Sequence, residues 1–116
     1  MTVREFLIET FNTKFGSMIV VRPHAICADG FELSIQASEG HYCLPRETLM
    51  DADYHSVEVL VCSKLDDYSF KRFMKHSSSS EDGRLFAHVD MDFLEMFVEE
   101  HGGIVNLNLN LKENKR

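Results

Sequence analysis

The last third of the chain constrains the fold most, because it reads as strand, helix, stop and strand in direct succession. Arg84 to Val89 has the composition of a strand, and Asp90 is placed to cap a helix that ends before the left-handed stop Gly102-Gly103. The buried stripe of that helix is expected to consist of Phe93, Leu94, Phe97 and Val98. From Ile104 to Leu111, asparagines alternate with an apolar face, which predicts a half-buried strand with Val105, Leu107, Leu109 and Leu111 inward.

The rest of the chain contains one more clear helix and several short strands. Thr2 and Glu5 form a capping box, and apolar residues at three- and four-residue steps predict a helix over 3–13 that ends at Gly16. Asp29-Gly30 predicts a hairpin turn. Further strands are expected at Met18–Arg22, Ala25–Ala28, Phe31–Ala37 and Val57–Cys62, and a short helix at Asp66–Lys75.

This order of elements predicts an α+β fold with a mainly antiparallel sheet of about five strands and two or three helices packed on one face. A chain of 116 residues suits a single domain over 1–116. The serine run has no apolar anchor, so residues 76–83 are predicted to form a flexible serine-rich loop. Residues 112–116 are predicted to be a disordered tail.

Neither a membrane nor an oxidising compartment is indicated. No apolar run approaches the ~20 residues that cross a bilayer, and the first residues lack the layout of a signal peptide. Cys27, Cys43 and Cys62 are an odd number without a CxxC pair, which predicts buried and reduced thiols. A cytoplasmic location follows as the expectation.

The net charge of −7 is concentrated in two acidic blocks. Residues 47–67 hold six acidic groups against Lys64, and residues 81–100 hold seven against Arg84. Such a surface repels phosphate backbones, so direct nucleic-acid binding is not expected, whereas a basic protein partner is. The residues expected to contact it are Asp90, Asp92, Glu95, Glu99 and Glu100, with Asp51, Asp53, Asp66 and Asp67 as a second acidic surface. The alternative is a surface that only keeps the protein in solution.

Metal and nucleophile chemistry have weak support in the sequence. His24-x-x-Cys27 and His41-x-Cys43 offer zinc-ligand atoms, but their spacing fits no common zinc module. A cysteine nucleophile would pair Cys43 or Cys62 with His41, His55 or His88, and no flanking signature supports any such pair. We therefore expect no metal, no cofactor and no enzymatic activity.

Two other patterns are better explained by structure than by chemistry. Asp90 and Asp92 are paired carboxylates, but one is placed as a helix cap and the other as a first-turn acid favoured by the helix dipole. Phe70 and Phe73 interleave with Lys71, Arg72 and Lys75, as on surfaces that bind single-stranded nucleic acid. Three cations between two acidic blocks would bind a phosphate backbone poorly. We therefore expect the two phenylalanines to lie in the core and the three cations to be solvated.

Several segments occur in an order that resembles a family of short proteins encoded by phages, prophages and mobile elements of gut Firmicutes. The segments are Met1–Phe6, Ile19–Pro23, Asp29–Phe31, Ser34–Ala37, His41–Arg46, Ser56–Val59 and Glu99–Ile104. The resemblance covers nearly the whole chain and includes no active-site motif. The serine-rich loop and the Asn-Leu repeat at the end depart from it.

Small acidic phage proteins without catalytic motifs are often inhibitors of host defence, so the resemblance favours a non-enzymatic inhibitor in the cytoplasm of a bacterial host cell. The resemblance itself implies neither the target nor the binding residues. The sharpest version of the inhibitor hypothesis is an anti-CRISPR protein that covers the basic nucleic-acid-binding surface of a Cas9-type nuclease with carboxylates, as a DNA mimic. The alternatives are a structural or oligomerising phage accessory protein and, third, a small cysteine or zinc enzyme. The protein is expected to be a monomer or a homodimer.

Overall fold

The computed structural model describes residues 1–11, 14–15 and 19–105, which form three helices and seven strands. The helices are α1 (Val3–Glu9), α2 (Asp67–Lys75) and α3 (Met91–Glu100). The strands are β1 (Lys14–Phe15), β2 (Ile19–Val20), β3 (Ala25–Ile26), β4 (Glu32–Gln36), β5 (Ser56–Val61), β6 (Ser79–Glu81) and β7 (Leu85–Asp90).

The main sheet has five antiparallel strands in the order β3-β4-β5-β7-β6, and β1 pairs with β2 separately. Leu33 pairs with Val61 and Ile35 with Val59, so the apolar residues of β4 and β5 lie on one face, as their alternation requires. All three helices contribute residues to the core cluster of the described part of the chain. The predicted α+β fold is confirmed.

Aromatic rings fill the space between the sheet and helices α2 and α3. The ring of Phe73 lies 5.0 Å from Phe86, 5.0 Å from Phe93 and 4.9 Å from Phe97, centroid to centroid. These four side chains are 3% exposed or less, and each such burial contributes roughly 1.5–3 kcal/mol. The helix predicted at Asp66–Lys75 is confirmed, and Phe73 is a core residue rather than part of a nucleic-acid surface.

Helix α1 begins at the predicted capping box but ends at Glu9, earlier than the predicted residue 13. Thr10 leaves helical geometry while its hydroxyl donates to the Phe6 carbonyl at 2.6 Å. The guanidinium of Arg22, only 2% exposed, donates to the Leu7 carbonyl at 3.2 Å and to the Ala37 carbonyl at 2.6 Å. The last turn is thus closed by side chains, which satisfy carbonyls that the helix itself leaves open. The predicted stop at Gly16 lies outside the described residues.

The serine-rich segment 76–83, predicted to be a loop, contains strand β6, so that prediction is wrong for its middle part. Ser79, Ser80 and Glu81 pair with Ala87, Phe86 and Leu85 of β7. The ladder bonds are made by backbone groups, so a run without apolar side chains can still form an edge strand. A sequence pattern based on hydrophobicity therefore cannot detect this strand.

The chain after α3 turns through Gly102 and Gly103, whose φ angles of 90° and 82° confirm the predicted left-handed stop. Ile104 then pairs with Cys27 beyond β3 and is 1% exposed, whereas Val105 is 61% exposed. The predicted burial of Val105 is therefore wrong, because a shift of one residue exchanges the two faces of a strand. The remainder of the predicted strand and the predicted tail 112–116 lie outside the described residues.

Candidate protein-interaction surface

The five acidic residues predicted on the last helix lie on α3 or at its cap, but they do not share one role. Asp90 caps α3, since its carboxylate accepts from the Phe93 amide at 3.0 Å. Glu95 is half-buried, whereas Asp92, Glu99 and Glu100 are exposed. The prediction of an acidic solvent face is confirmed for these three exposed residues.

Glu95 faces α1 instead of bulk solvent. Its two carboxylate oxygens accept from the backbone amides of Val3 at 2.7 Å and Arg4 at 3.0 Å, which are the first amides of α1. An anion at a helix N-terminus satisfies open donors and favours the helix dipole. Glu95 thereby joins α3 to α1 and is not available as a free surface charge.

Glu100 is paired with a cation of its own chain. Arg72 of α2 donates from both terminal nitrogens to the two Glu100 oxygens at 2.9 Å each. This bidentate pair holds the pKa of Glu100 below its usual value. The guanidinium also lies 5.4 Å from the Phe93 ring centroid and 5.8 Å from that of Phe97, so it closes the end of the aromatic core.

The second predicted acidic surface is divided between the α1 side and the α2 side of α3. The backbone carbonyl of Asp51 accepts from Nε of Arg4, whose amide is bound by Glu95, so Asp51 and Asp53 lie on the α1 side. Asp66 caps α2 and accepts from the Ser69 amide at 2.7 Å, a bond that lowers its pKa. Asp66 and Asp67 belong to the α2 side, where Arg72 and Glu100 meet. The structure therefore does not bring the four residues into one cluster.

The acidic groups without a partner in the described part of the chain include Asp92 and Glu99, which share one side of α3. With Met96 they follow helical spacing, and the 1.5 Å rise per residue puts Asp92 and Glu99 ~10 Å apart along the axis. Met96 between them is 49% exposed. We call Asp92, Met96 and Glu99 the α3 stripe.

A groove of about 490 Å³ runs beside the α3 stripe, between α3 and the start of α1. Its lining residues are Met1, Thr2, Glu5, Glu95, Val98, Glu99, Gly102 and Gly103. Glu5 was missed as a surface candidate, since the capping box indicates a structural role. The backbone and hydroxyl of Thr2 lower the pKa of Glu5, so this carboxylate adds negative charge to the groove at neutral pH.

Burial disfavours the nucleophilic form of all three cysteines, as far as their surroundings in the structure show. Burial raises the pKa of Cys27 to about 11 and also raises the pKa of Cys43 and Cys62, which disfavours the nucleophilic thiolate. Cys43 is fully buried and donates to the Ser38 and Pro45 carbonyls at 3.3 and 3.4 Å. Cys62 lies 3.7 Å from Nδ1 of His24, a histidine that the sequence does not pair with it.

The two histidine–cysteine pairs that were weighed as zinc ligands are not the group of possible ligands that the structure brings together. Cys27 and Cys43 are 1% exposed or less and lie in the core. Among the described residues, His24, Glu32 and Cys62 are the group whose ligand atoms all lie within 4.8 Å of one another. The sequence did not indicate Glu32 and Cys62 as metal ligands. Their proximity depends on β4 and β5 being neighbours in the sheet, which spacing along the chain does not reveal.

None of the helices in the described segments is both long and apolar enough to cross a membrane. Comparison of the chain with protein-family models, with curated proteins and with solved structures finds no significant match.

Proposed function

We propose that the protein is a non-enzymatic inhibitor of phage or mobile-element origin that binds a basic host protein through the α3 stripe. The observation that carries the proposal is the contrast among the acids of α3. Asp90, Glu95 and Glu100 are held by internal bonds. Asp92 and Glu99 are exposed and without a partner in the described residues, on a helix whose buried face is fixed in the core.

Partner choice follows from charge. Carboxylates at fixed positions offer arginine the acceptor geometry it uses for bidentate pairing, and a rigid helix loses little entropy on binding. The exposed thioether of Met96 adds an apolar contact between the two charges. The groove beside the stripe adds Glu5 to the negative field, which would raise the association rate with a cationic surface.

The sharpest form of the proposal is an anti-CRISPR protein that occupies the nucleic-acid-binding surface of a Cas9-type nuclease. That surface is basic because it must hold a guide duplex and read the PAM with arginines. An acidic protein bound there acts as a DNA mimic, by exclusion and without chemistry. Asp53 and Asp67, exposed on the two flanks of α3, would extend the contact.

An order-of-addition cleavage assay with a Cas9-type nuclease from a Firmicutes host tests this proposal. Protein added to the guide-loaded nuclease before target DNA is expected to block cleavage. Protein added after the nuclease has bound its target is expected to have little effect, because the basic surface is then covered. Equal inhibition in both orders would contradict competition for the DNA-binding surface, and no inhibition with no binding would contradict the nuclease as partner.

A structural or oligomerising accessory protein is the second candidate. The observation that favours it is the pairing of Ile104 with Cys27, which places the chain after α3 beyond β3, at a margin of the main sheet. Strands at a sheet margin can recruit a second copy. Light scattering distinguishes the candidates: a concentration-dependent dimer supports assembly, whereas a monomer at all concentrations supports the inhibitor.

A further inference from the structure

We propose that His24, Glu32 and Cys62 form a binding site for a divalent transition-metal ion, with zinc as the ion that best fits the donor set. The site is separate from the α3 stripe, and the proposal does not depend on the proposed inhibitor function. It replaces the sequence-based expectation that the protein binds no metal.

The three side chains converge at one nitrogen atom. Nδ1 of His24 lies 2.5 Å from Oε2 of Glu32 and 3.7 Å from Sγ of Cys62. Each residue comes from a different position of the sheet: His24 precedes β3, Glu32 begins β4 and Cys62 follows β5. The β3-β4 and β4-β5 pairings put all three on the sheet face opposite the core.

The backbone holds two of the ligands in register. The amides of Cys62 and Ser63 donate to the Glu32 carbonyl at 3.0 and 3.2 Å, and the Ser63 hydroxyl accepts from the Glu32 amide at 2.9 Å. These three bonds fix Glu32 beside Cys62 before any ion arrives. A site whose ligands sit on paired strands needs little reorganisation on binding.

The donor set and the spacing suit zinc. Imidazole nitrogen, thiolate sulfur and carboxylate oxygen are its usual ligands, and tetrahedral bonds of about 2.0–2.3 Å place ligand atoms ~3.2–3.7 Å apart. The separation of 3.7 Å between Nδ1 and Sγ fits this range. The carboxylate of Glu32 must withdraw by ~1 Å to fit the same tetrahedron, and its side chain, 39% exposed, has room to do so.

Charge balance and access also favour a divalent ion. A neutral imidazole, a carboxylate and a thiolate together carry two negative charges, which match one divalent cation. The side chain of His24 is 49% exposed and Cys62 is half-buried, so an ion can enter from solvent. Three protein ligands leave a fourth position for water or for a ligand from a partner.

Binding must displace a proton. A cysteine thiol without a bound metal carries its proton at neutral pH. When the metal–sulfur bond forms, this proton passes to solvent. Nδ1 of His24 must also give up the proton of its hydrogen bond with Glu32, either to Nε2 of the same ring or to solvent. Affinity is therefore expected to rise with pH, with at least one proton released per ion bound at neutral pH.

The test uses purified full-length protein stripped with a chelator and titrated with Zn²⁺, with Co²⁺ as the spectroscopic probe. We expect one ion per chain and a thiolate-to-cobalt charge-transfer absorption. Cys62→Ser should abolish that absorption, and His24→Gln and Glu32→Gln should each weaken zinc binding by at least ~10-fold. His55→Gln, an exposed histidine outside the cluster, is the matched control and should bind as the wild type does.

Absorption that persists in Cys62→Ser, unchanged zinc affinity in the ligand variants, or one zinc per two chains would overturn the proposal. Equal weakening by His55→Gln would overturn it as well. Circular dichroism of each variant verifies the fold. Glu32→Gln changes a partly exposed carboxylate and keeps nearly the same side-chain volume, so this variant still tests the proposal if Cys62→Ser fails to fold.

Discussion

The carboxylate of Glu95 accepts a hydrogen bond of 2.7 Å from the backbone amide of Val3, across 92 positions of sequence. The second oxygen accepts from Arg4, so one side chain of α3 closes the open end of α1. Glu95 therefore has a structural role, unlike the α3 carboxylates that bind no other group among the described residues. Substitution of Glu95 is therefore expected to lower the free energy of unfolding.

Glu95→Ala is expected to lower the free energy of unfolding by about 1–2 kcal/mol, because it leaves two amides of α1 without their acceptor. Glu99→Ala, four residues on and exposed, is the matched control and should change it by less than about 0.5 kcal/mol. Urea unfolding at neutral pH measures both. Equal stability of the two variants would show that the bond from Glu95 to α1 contributes nothing.

Gly102→Ala is expected to destabilise the protein more than Gly30→Ala. Both glycines have a left-handed φ, 90° and 92°, so both substitutions incur the same backbone strain of about 1–2 kcal/mol. A Cβ at Gly102 would lie 2.7 Å from the Cβ of Ala28, whereas one at Gly30 meets nothing within 4 Å. The difference between the midpoint temperatures of the two variants in thermal unfolding measures the cost of the steric clash with Ala28. If Gly30→Ala is as destabilising as Gly102→Ala, the close packing of Gly102 on Ala28 is not present.

Arg22→Lys is expected to lower the free energy of unfolding by about 2 kcal/mol or more. Burial lowers the pKa of Arg22 to about 10, so the group is still charged at neutral pH and depends on the Leu7 and Ala37 carbonyls. A lysine ammonium lacks the planar fork that reaches both. Arg46→Lys, at an exposed arginine, is the control and should be nearly neutral in the same urea titration. Equal losses of unfolding free energy in the two variants would contradict the role assigned to the buried guanidinium of Arg22.

Stability is expected to fall in acid, with a contribution from Glu100. Its folded pKa lies below the unfolded value because Arg72 binds the ionised form. The stabilisation is therefore complete above the unfolded pKa near 4.5 and is lost as pH falls through the folded pKa. For an exposed pair its size is about 0.2–1 kcal/mol and decreases with added salt. Unfolding free energies between pH 7 and pH 3 should fall less steeply in Glu100→Gln than in the wild type, and parallel profiles would refute the assignment.

Local patterns in the sequence were sufficient for elements whose periodicity is strong. The stripe from Phe93 to Val98, the hairpin at Asp29-Gly30 and the stop at Gly102-Gly103 follow from spacing and from glycine chemistry. Strand β6 could not be predicted, because its backbone pairing with β7 involves no apolar signal. Contacts such as Glu95 with Val3, or His24 with Cys62, depend on which elements are neighbours in space. The sequence could predict the negative charge of the acidic surface. It could not predict which of the carboxylates bind other groups of the same chain.

The most direct test of the proposed function is the association rate of the protein with a guide-loaded Cas9-type nuclease. The test variant carries Asp92→Asn and Glu99→Gln on the α3 stripe. The control variant carries Glu39→Gln and Glu47→Gln, which remove the same net charge from exposed positions away from α3. Stopped-flow measurements at low and physiological salt separate a local contact from a general charge effect, since both variants change the net charge equally.

The α3 variant is expected to associate at least ~5-fold more slowly at low salt and to lose most of its salt dependence, while the control stays within about 2-fold of the wild type. Equal rates for the two variants would contradict the claim that the α3 stripe is the binding surface.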